Sequence, residues 1–124
     1  MIIAVAVLGG IGAATRFVVD GLIRGRWSHQ FPVATVLINV SGSLVIGLLA
    51  GAGLYHGFGS GWHVVAATGF CGGYTTFSTA MVETVRMVQS GQVRRAVLNA
   101  VGSLVLAVAA AALGVGAMWV TRSL

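Results

Sequence analysis

Residues 69–79 read Gly-Phe-Cys-Gly-Gly-Tyr-Thr-Thr-Phe-Ser-Thr and lie inside Trp62–Val82, an uncharged run long enough to cross a membrane. The three glycines and the clustered hydroxyl residues disfavour a continuous helix. In hydrocarbon, backbone that leaves the helix is tolerated only where it is buried in protein or lines a polar cavity. We therefore interpret this stretch as a break in a membrane helix, where freed carbonyls and half-helix ends can bind ions or substrates. The plainer alternative is a glycine hinge whose hydroxyls bond to their own backbone.

The composition indicates a membrane protein. Of the 124 residues, 57% are hydrophobic and 7% are charged, whereas soluble domains carry about 25% charged residues. Each crossing needs about 20 apolar residues. We therefore predict an all-α, multi-pass membrane protein, with residues 1–124 forming a single domain. Its four transmembrane helices are predicted at about 2–23, 33–54, 62–88 and 96–120, the third broken near its middle.

The basic residues indicate a membrane orientation. All seven are arginines, and they are scattered over short loops instead of forming a stripe on one face, which argues against nucleic-acid binding. The loops on one side of the predicted bundle carry Arg24, Arg26, Arg86, Arg94 and Arg95, and the opposite side carries Arg122. This bias predicts a fixed insertion, with those loops in the cytoplasm and both termini outside.

Polar residues form two rows within the predicted membrane helices. Thr35, Asn39 and Ser43 recur at i+4 in the second helix and share one face. Asn39 lies near the middle of the membrane, where an amide is costly unless it bonds a neighbouring helix or a permeant species. Asn39 is therefore either interhelical glue or a pore residue. Asn99 and Ser103 form a second, shorter row at the start of the fourth helix.

The first helix combines small residues with one early charge. Gly9, Gly10 and Gly12 provide a thin face that allows a neighbouring helix to approach closely. Arg16 either snorkels to the interface or faces an aqueous vestibule and attracts anions. Asp20 follows Arg16 at i+4, where the two can form an ion pair along the helix.

The sequence offers no catalytic constellation, phosphate-binding loop or metal-ligand spacing, and Cys71 is its single cysteine. We therefore predict that the chain is not an enzyme. The membrane-depth hydroxyls and amides are mainly hydrogen-bond donors, and no acidic residue lies at mid-membrane. Such donors suit a small anion, and the positive edge of the Phe77 ring can assist. Four helices barely enclose a pathway, so we expect at least two chains to assemble.

The run at residues 69–79, followed by Glu83, closely resembles the signature of the CrcB/Fluc fluoride channels. Arg16 after a glycine-rich first helix, and Asn39 ahead of Ser41-Gly42-Ser43, match that family in order and spacing. The resemblance covers the whole chain. It implies one subunit of an antiparallel dimer that exports fluoride passively as a protection against its toxicity.

The resemblance also implies roles for individual residues. A structural sodium ion, which is not transported, would be held at the dimer centre by the backbone carbonyls of Gly72 and Thr75. The pore amide maps onto Asn39 and the pore-facing aromatic onto Phe77. The predicted fluoride pathway also includes Ser43, Thr76, Ser78, Thr79 and Ser103, and Arg16 is the predicted vestibule residue.

One departure from the family pattern is Ala80, where a second phenylalanine is usual. Together with the arginine bias, it favours pairing with an oppositely inserted homologous chain, although a homodimer stays open. Two other functions also stay open. A small four-helix multidrug exporter would need a membrane-embedded carboxylate, for which Asp20 is the only candidate. A non-conducting structural partner of a fluoride channel is consistent with Ala80.

Overall fold

The computed structural model describes residues 2–26, 33–55 and 61–123, and the secondary structure of this part is helical. Helix α1 spans Ile2–Arg26 and α2 spans Val33–Tyr55. Helix α3 consists of three successive segments, Trp62–Ala66, a π-helical Ala67–Cys71 and Gly72–Tyr74. Helices α4 and α5 span Phe77–Gln89 and Val93–Val120.

The predicted all-α membrane fold is confirmed. Helices α1, α2 and α5 are long and apolar enough to cross a membrane, by length and composition. The predicted third crossing is α3 followed by α4, and the predicted break is two residues, Thr75 and Thr76. The antiparallel dimer stays a prediction.

Two helix ends lie within about one turn of their approximate predicted positions. Helix α1 continues beyond residue 23 to Arg26, and α5 begins at Val93, ahead of residue 96. The Nε of Arg24 donates to Asp20 Oδ1 at 2.9 Å, which supports the last turn of α1. The expected pairing of Asp20 with Arg16 is thereby corrected, because an acid placed before its base at i+4 is the more favourable order in a helix.

Glycines bring α1 into backbone contact with α3. A Cβ on Gly12 would lie 2.1 Å from the Phe70 carbonyl oxygen, and one on Gly73 would lie 2.0 Å from the Gly9 oxygen. Real Cβ atoms do not approach so closely, so these two positions require glycine. The predicted thin face of α1 is therefore confirmed at Gly9 and Gly12, whereas Gly10 has nothing within 4 Å of its Cβ position.

The second half of α2 packs on α5 in the same way. A Cβ on Gly47 would lie 2.1 Å from the Ala111 carbonyl oxygen, and one on Gly114 would lie 2.6 Å from the Leu44 oxygen. Gly51 similarly faces the Met118 side chain at 2.6 Å. Lipid tails are as apolar as the helix surfaces, so the hydrophobic effect does not drive membrane helices together. Close contacts of this kind supply the van der Waals attraction instead.

Two of the most deeply buried side chains lie close to the break. Ile38 of α2 is 2% exposed and Cys71 of α3 is 1% exposed. Large apolar side chains of the outer helix surfaces are instead exposed in the isolated chain, for example Phe17 at 81% and Leu113 at 69%. Such a surface suits a lipid environment or a second subunit.

Candidate functional site

The break is a short extended segment between two half-helices. Thr75 has φ −78° and ψ 158°, and Thr76 has φ −145° and ψ 116°. Both the amide and the hydroxyl of Thr75 donate to the Cys71 carbonyl, at 2.9 and 2.8 Å. The Thr76 hydroxyl oxygen accepts the Thr79 N–H at 3.2 Å and so caps α4. The plainer interpretation therefore holds for the Thr75 hydroxyl, which bonds to its own helix.

Asn39 of α2 holds the Thr76 backbone at two points. Its Nδ2 donates to the Thr76 carbonyl oxygen at 2.9 Å, and its Oδ1 accepts the Thr76 N–H at 2.8 Å. An amide nitrogen carries two N–H groups, and Thr76 takes one of them. The structure therefore shows Asn39 acting as interhelical glue, and its predicted contact with a permeant ion stays a prediction.

Two further contacts from α2 fix the break in place. A Cβ on Gly42 would lie 2.3 Å from Thr75 Cγ2, so glycine is required for this approach. The hydroxyls of Ser41 and Tyr74 lie 2.9 Å apart and form a hydrogen bond. Contacts with α2 therefore help to determine the backbone conformation of the break, in addition to the low helix propensity of the residues in the break.

The hydrogen bonds at the break leave two helix carbonyls without their usual donors. In an α-helix the N–H of residue i bonds to the carbonyl of residue i−4. The Thr76 N–H, which would bond to the Gly72 carbonyl, is donated to Asn39. The Thr79 N–H, which would bond to the Thr75 carbonyl, is donated to the Thr76 hydroxyl. These are the two carbonyls predicted to hold sodium, and unwound helix carbonyls are suitable ligands for it.

Gly72 also lies at an open surface of this chain. The residue is exposed, and a Cβ built on it would meet nothing within 4 Å. The structure therefore leaves room beside the Gly72 backbone for an ion or a second subunit. Among the residues that the structure describes, no group of three or more His, Cys, Asp or Glu could hold a metal. A metal site built from described residues would therefore have to use other ligands, such as backbone oxygens.

A cavity of about 250 Å³, the inner cavity, lies beside the break between α2, α4 and α5. It brings together five of the predicted pathway residues, namely Asn39, Ser43, Thr76, Phe77 and Ser103. Ala80 lines the same cavity, so a phenylalanine at this position, as is usual in the family pattern, would also lie at the inner cavity. Asn39 and Ser43 of the first polar row therefore meet Asn99 and Ser103 of the second row at one site, whereas Thr35 lines a different cavity.

A second cavity, of about 290 Å³, lies on the other side of Thr76 and contains the predicted vestibule residue Arg16. We call it the vestibule cavity. Thr76 lines both the inner and the vestibule cavities. Thr79 lines the vestibule cavity and also a more open one of about 510 Å³, the mouth cavity, which includes Ser78 and Glu83. Neighbouring cavities thus share a threonine, and the remaining predicted pathway residues lie along them.

Phe77 is the first residue of α4, and its side chain is 77% exposed. The ring lines the inner cavity, but this chain covers little of it. A ring so placed at a break must be covered by lipid or by another subunit. The predicted pore role of Phe77 fits this position and stays a prediction.

Sequence analysis missed two polar contacts of α4. Asn99 is 2% exposed, and its Nδ2 donates to the Thr84 hydroxyl at 2.9 Å, so Thr84 belongs to the inner cavity with Asn99. Thr35, predicted only as part of a row, donates its hydroxyl to the Glu83 carboxylate. Glu83 in turn lies 4.0 Å from the Arg24 guanidinium. The i+4 spacing of the polar residues indicated which helix face they share. It did not indicate which residues on neighbouring helices they bond.

Comparison with known proteins gives consistent matches over most of the chain. Residues 3–115 match the family model described as CrcB-like protein, Camphor Resistance (CrcB). A Leifsonia xyli protein named Fluoride-specific ion channel FluC 1 is 49% identical over 92% of this chain and 83% of its own. Proteins named Fluoride-specific ion channel FluC 2 are similar too, one from Mycolicibacterium paratuberculosis (44% identical over 90% of this chain and 88% of its own) and one from Cutibacterium acnes (45% identical over 89% and 90%).

Proposed function

The chain belongs to the CrcB family, and on that premise we propose that it is one subunit of a fluoride-specific ion channel. It is a multi-pass membrane protein, and its relatives are named as ion channels, which are not a class of enzyme. Its proposed role is the passive export of fluoride across the plasma membrane, which lowers the fluoride concentration in the cytoplasm.

The observation that carries this proposal is the pair of hydrogen bonds between Asn39 and the Thr76 backbone, at the junction of two cavities. The inner cavity includes hydroxyl and amide side chains, and the vestibule cavity includes hydroxyls and an arginine. A small anion loses its water of hydration in a narrow path, and the cost is prohibitive unless fixed donors replace the water. The hydroxyls of Ser43 and Thr79 and the second N–H of Asn39 are donors of this kind, whereas the Ser103 hydroxyl donates to Asn99 Oδ1 at 3.4 Å. Arg16 places a positive charge at the vestibule cavity, which favours the entry of anions.

We propose that the Gly72 and Thr75 carbonyls hold a structural sodium ion together with the same carbonyls of an opposed subunit. The support is that the usual donors of both carbonyls are bonded to side chains, and that Gly72 faces open space. When bound, the ion would supply positive charge that neutralises the carbonyl dipoles of two half-helices. Sodium should therefore be required for assembly.

The proposed partner is an oppositely oriented homologous subunit. The numbered names FluC 1 and FluC 2 among the relatives are consistent with paired paralogous subunits. The exposed Phe77 and Gly72 offer surfaces for such a partner. A fixed insertion disfavours an antiparallel homodimer, because a homodimer needs the same chain to insert in both directions. A partner with an intact aromatic pair would also compensate for Ala80.

The orientation is testable with reporter fusions at the C-terminus of the full chain. The arginine bias predicts an extracytoplasmic C-terminus in nearly all molecules. A cytoplasmic or evenly mixed signal would contradict fixed insertion and restore the homodimer.

Rescue of a fluoride-sensitive bacterial strain tests the function. We expect resistance to fluoride when the chain is expressed with an oppositely oriented homologue, and little or none with either chain alone. Resistance to a cationic dye such as ethidium would indicate a multidrug exporter instead. Equal fluoride resistance with the homologue alone would indicate that this chain is a non-conducting structural partner or dispensable.

A further inference from the structure

The extended backbone at residues 75–76 is maintained by two side chains that compete with the helix for backbone N–H groups. Asn39 Oδ1 takes the Thr76 N–H, and Thr76 Oγ1 takes the Thr79 N–H. Without these acceptors both N–H groups would lack a partner within a membrane-crossing segment, where an unpaired backbone donor is costly. The nearest alternative acceptors are the carbonyls four residues earlier, at Gly72 and Thr75, because those bonds belong to a continuous helix.

We infer that Asn39 and Thr76 are positioning residues of the sodium site, which act by keeping these two carbonyls available. The inference rests on the sodium site of the proposed function. Neither side chain needs to touch the ion: each removes a competing N–H donor from one carbonyl. Asn39 is the stronger of the two, since it holds the N–H and the carbonyl of Thr76, which belong to two successive peptide units, against α2.

A consequence is that the pore amide and the cation site share one peptide unit. The peptide unit between Thr75 and Thr76 contains the Thr75 carbonyl, a proposed sodium ligand, and the Thr76 N–H, which Asn39 accepts and which would otherwise bond to the Gly72 carbonyl. A change at Asn39 therefore affects the cavities and the cation site together. The two effects are separable, because only the second is measured as a change in sodium affinity.

The test is the thermal unfolding midpoint of the purified full-length protein in detergent, co-purified with its partner subunit where one is needed. Sodium chloride is titrated against N-methylglucamine chloride at constant total chloride. For the wild type we expect the midpoint to rise with sodium and saturate, because an ion that binds only the folded state stabilises it. In Asn39→Ala the half-saturating sodium concentration should rise about tenfold or more, as for other residues that orient metal ligands.

A second variant gives an independent reading if Asn39→Ala does not fold. Thr76→Val keeps the shape of the side chain and removes the oxygen that accepts the Thr79 N–H. It should raise the half-saturating sodium concentration in the same direction, by about tenfold or less. Ser78→Ala is its control, because that hydroxyl lies 3.5 Å from the Thr76 hydroxyl and caps no N–H in the break.

Asn99→Ala is the matched control for Asn39→Ala. It also deletes an amide that lines the inner cavity, but that amide bonds to Thr84 and not to the break. Its half-saturating concentration should equal that of the wild type. An equal shift in Asn99→Ala would overturn the inference, since the effect would then be a general disturbance of the cavity.

The possible failures are distinguishable. If the unfolding midpoint of the wild type does not change with the sodium concentration, the proposed sodium site is wrong, and the inference fails with it. A wild type that responds to sodium, with unchanged half-saturation in Asn39→Ala and Thr76→Val, would overturn only the inference and leave the sodium site standing.

Discussion

The two halves of α2 hold the molecule together in different ways. The first half contacts the broken helix through hydrogen bonds, from Thr35 to Glu83 and from Asn39 to the Thr76 backbone. The second half contacts α5 through glycines, with Gly47 and Gly51 packed against its backbone and side chains. Close packing of small residues stabilises a helix pair without presenting polar groups. The first half of α2 instead holds the extended backbone of the break in place. Its polar side chains keep hydrogen-bonding capacity that a permeant ion could use.

The difference suggests that changes to the second half of α2 affect folding, and that changes to the first half affect conduction. Stability in this chain depends on close backbone approach, where a single methyl group is too large. In the proposed channel, conduction depends on polar atoms that already make one hydrogen bond and can make another. The following variants test whether the two halves are separable in this way.

The largest effect is expected for Gly47→Ala, in the packed half. The new methyl group would lie 2.1 Å from the Ala111 carbonyl oxygen, and this neighbour is backbone that cannot move aside. We expect a loss of stability of about 1–3 kcal/mol or more, measured as lost monodisperse protein and a lower unfolding midpoint. Gly102→Ala in α5 is the control, because nothing lies within 4 Å of its Cβ position. Similar behaviour of both variants would contradict the packing account.

The next effect is expected for Asn39, in the polar half. A hydrogen bond to a charged group contributes about 1.5–3 kcal/mol, so losing a donor to the ion raises its barrier by a similar amount, and about 1.4 kcal/mol on a barrier is a tenfold change in rate. We therefore expect Asn39→Ala to slow fluoride efflux about tenfold or more. Asn39→Asp should be slower still, because it adds a charge of the same sign as the ion. Unchanged efflux in Asn39→Asp would remove the pore assignment of this residue.

A smaller effect is expected for Phe77→Leu, which keeps an apolar side chain and removes the ring edge. Contacts of aromatic edges contribute about 0.5–1.5 kcal/mol, so fluoride efflux should fall a few-fold. The unfolding midpoint should stay the same, because the side chain is 77% exposed in this chain. A large loss of stability with unchanged efflux would assign Phe77 to packing.

The smallest effect is expected for Thr75→Ala. The Thr75 hydroxyl donates to the Cys71 carbonyl, which also receives the Thr75 N–H, and the proposed sodium ligand is the Thr75 backbone oxygen. Sodium-dependent stabilisation should therefore persist at the wild-type half-saturating concentration. Its loss would show that the side chain, and not the carbonyl, binds the ion. A bulky residue at Gly72, by contrast, should disturb the site.

The position of the break could be predicted from residues 69–79, because glycines and hydroxyls oppose a continuous helix whatever surrounds them. The rows of Thr35, Asn39 and Ser43 could also be predicted, since i+4 spacing defines a helix face. Their partners could not. Spacing along one helix does not say which atoms lie opposite, so the bond of Asn39 to the Thr76 backbone and that of Thr35 to Glu83 emerged only from the structure.

Two other features depended on competition between neighbours. Asp20 has one arginine four residues before it, Arg16, and one four residues after it, Arg24. In the structure Asp20 forms an ion pair with Arg24. The Gly72 carbonyl was predicted as a sodium ligand by resemblance alone, and the sequence does not show that its usual donor, the Thr76 N–H, bonds to Asn39 of another helix. Such long-range bonds leave no local signal in the sequence.

The most direct test of the central claim is fluoride efflux from liposomes that contain the purified chain with its partner subunit, followed with a fluoride electrode. The account predicts rapid efflux of fluoride with sodium present, negligible efflux of chloride in parallel vesicles, and slow fluoride efflux when the chain carries Asn39→Asp. Efflux that does not distinguish fluoride from chloride, or that is the same with wild-type and Asn39→Asp chains, would contradict it.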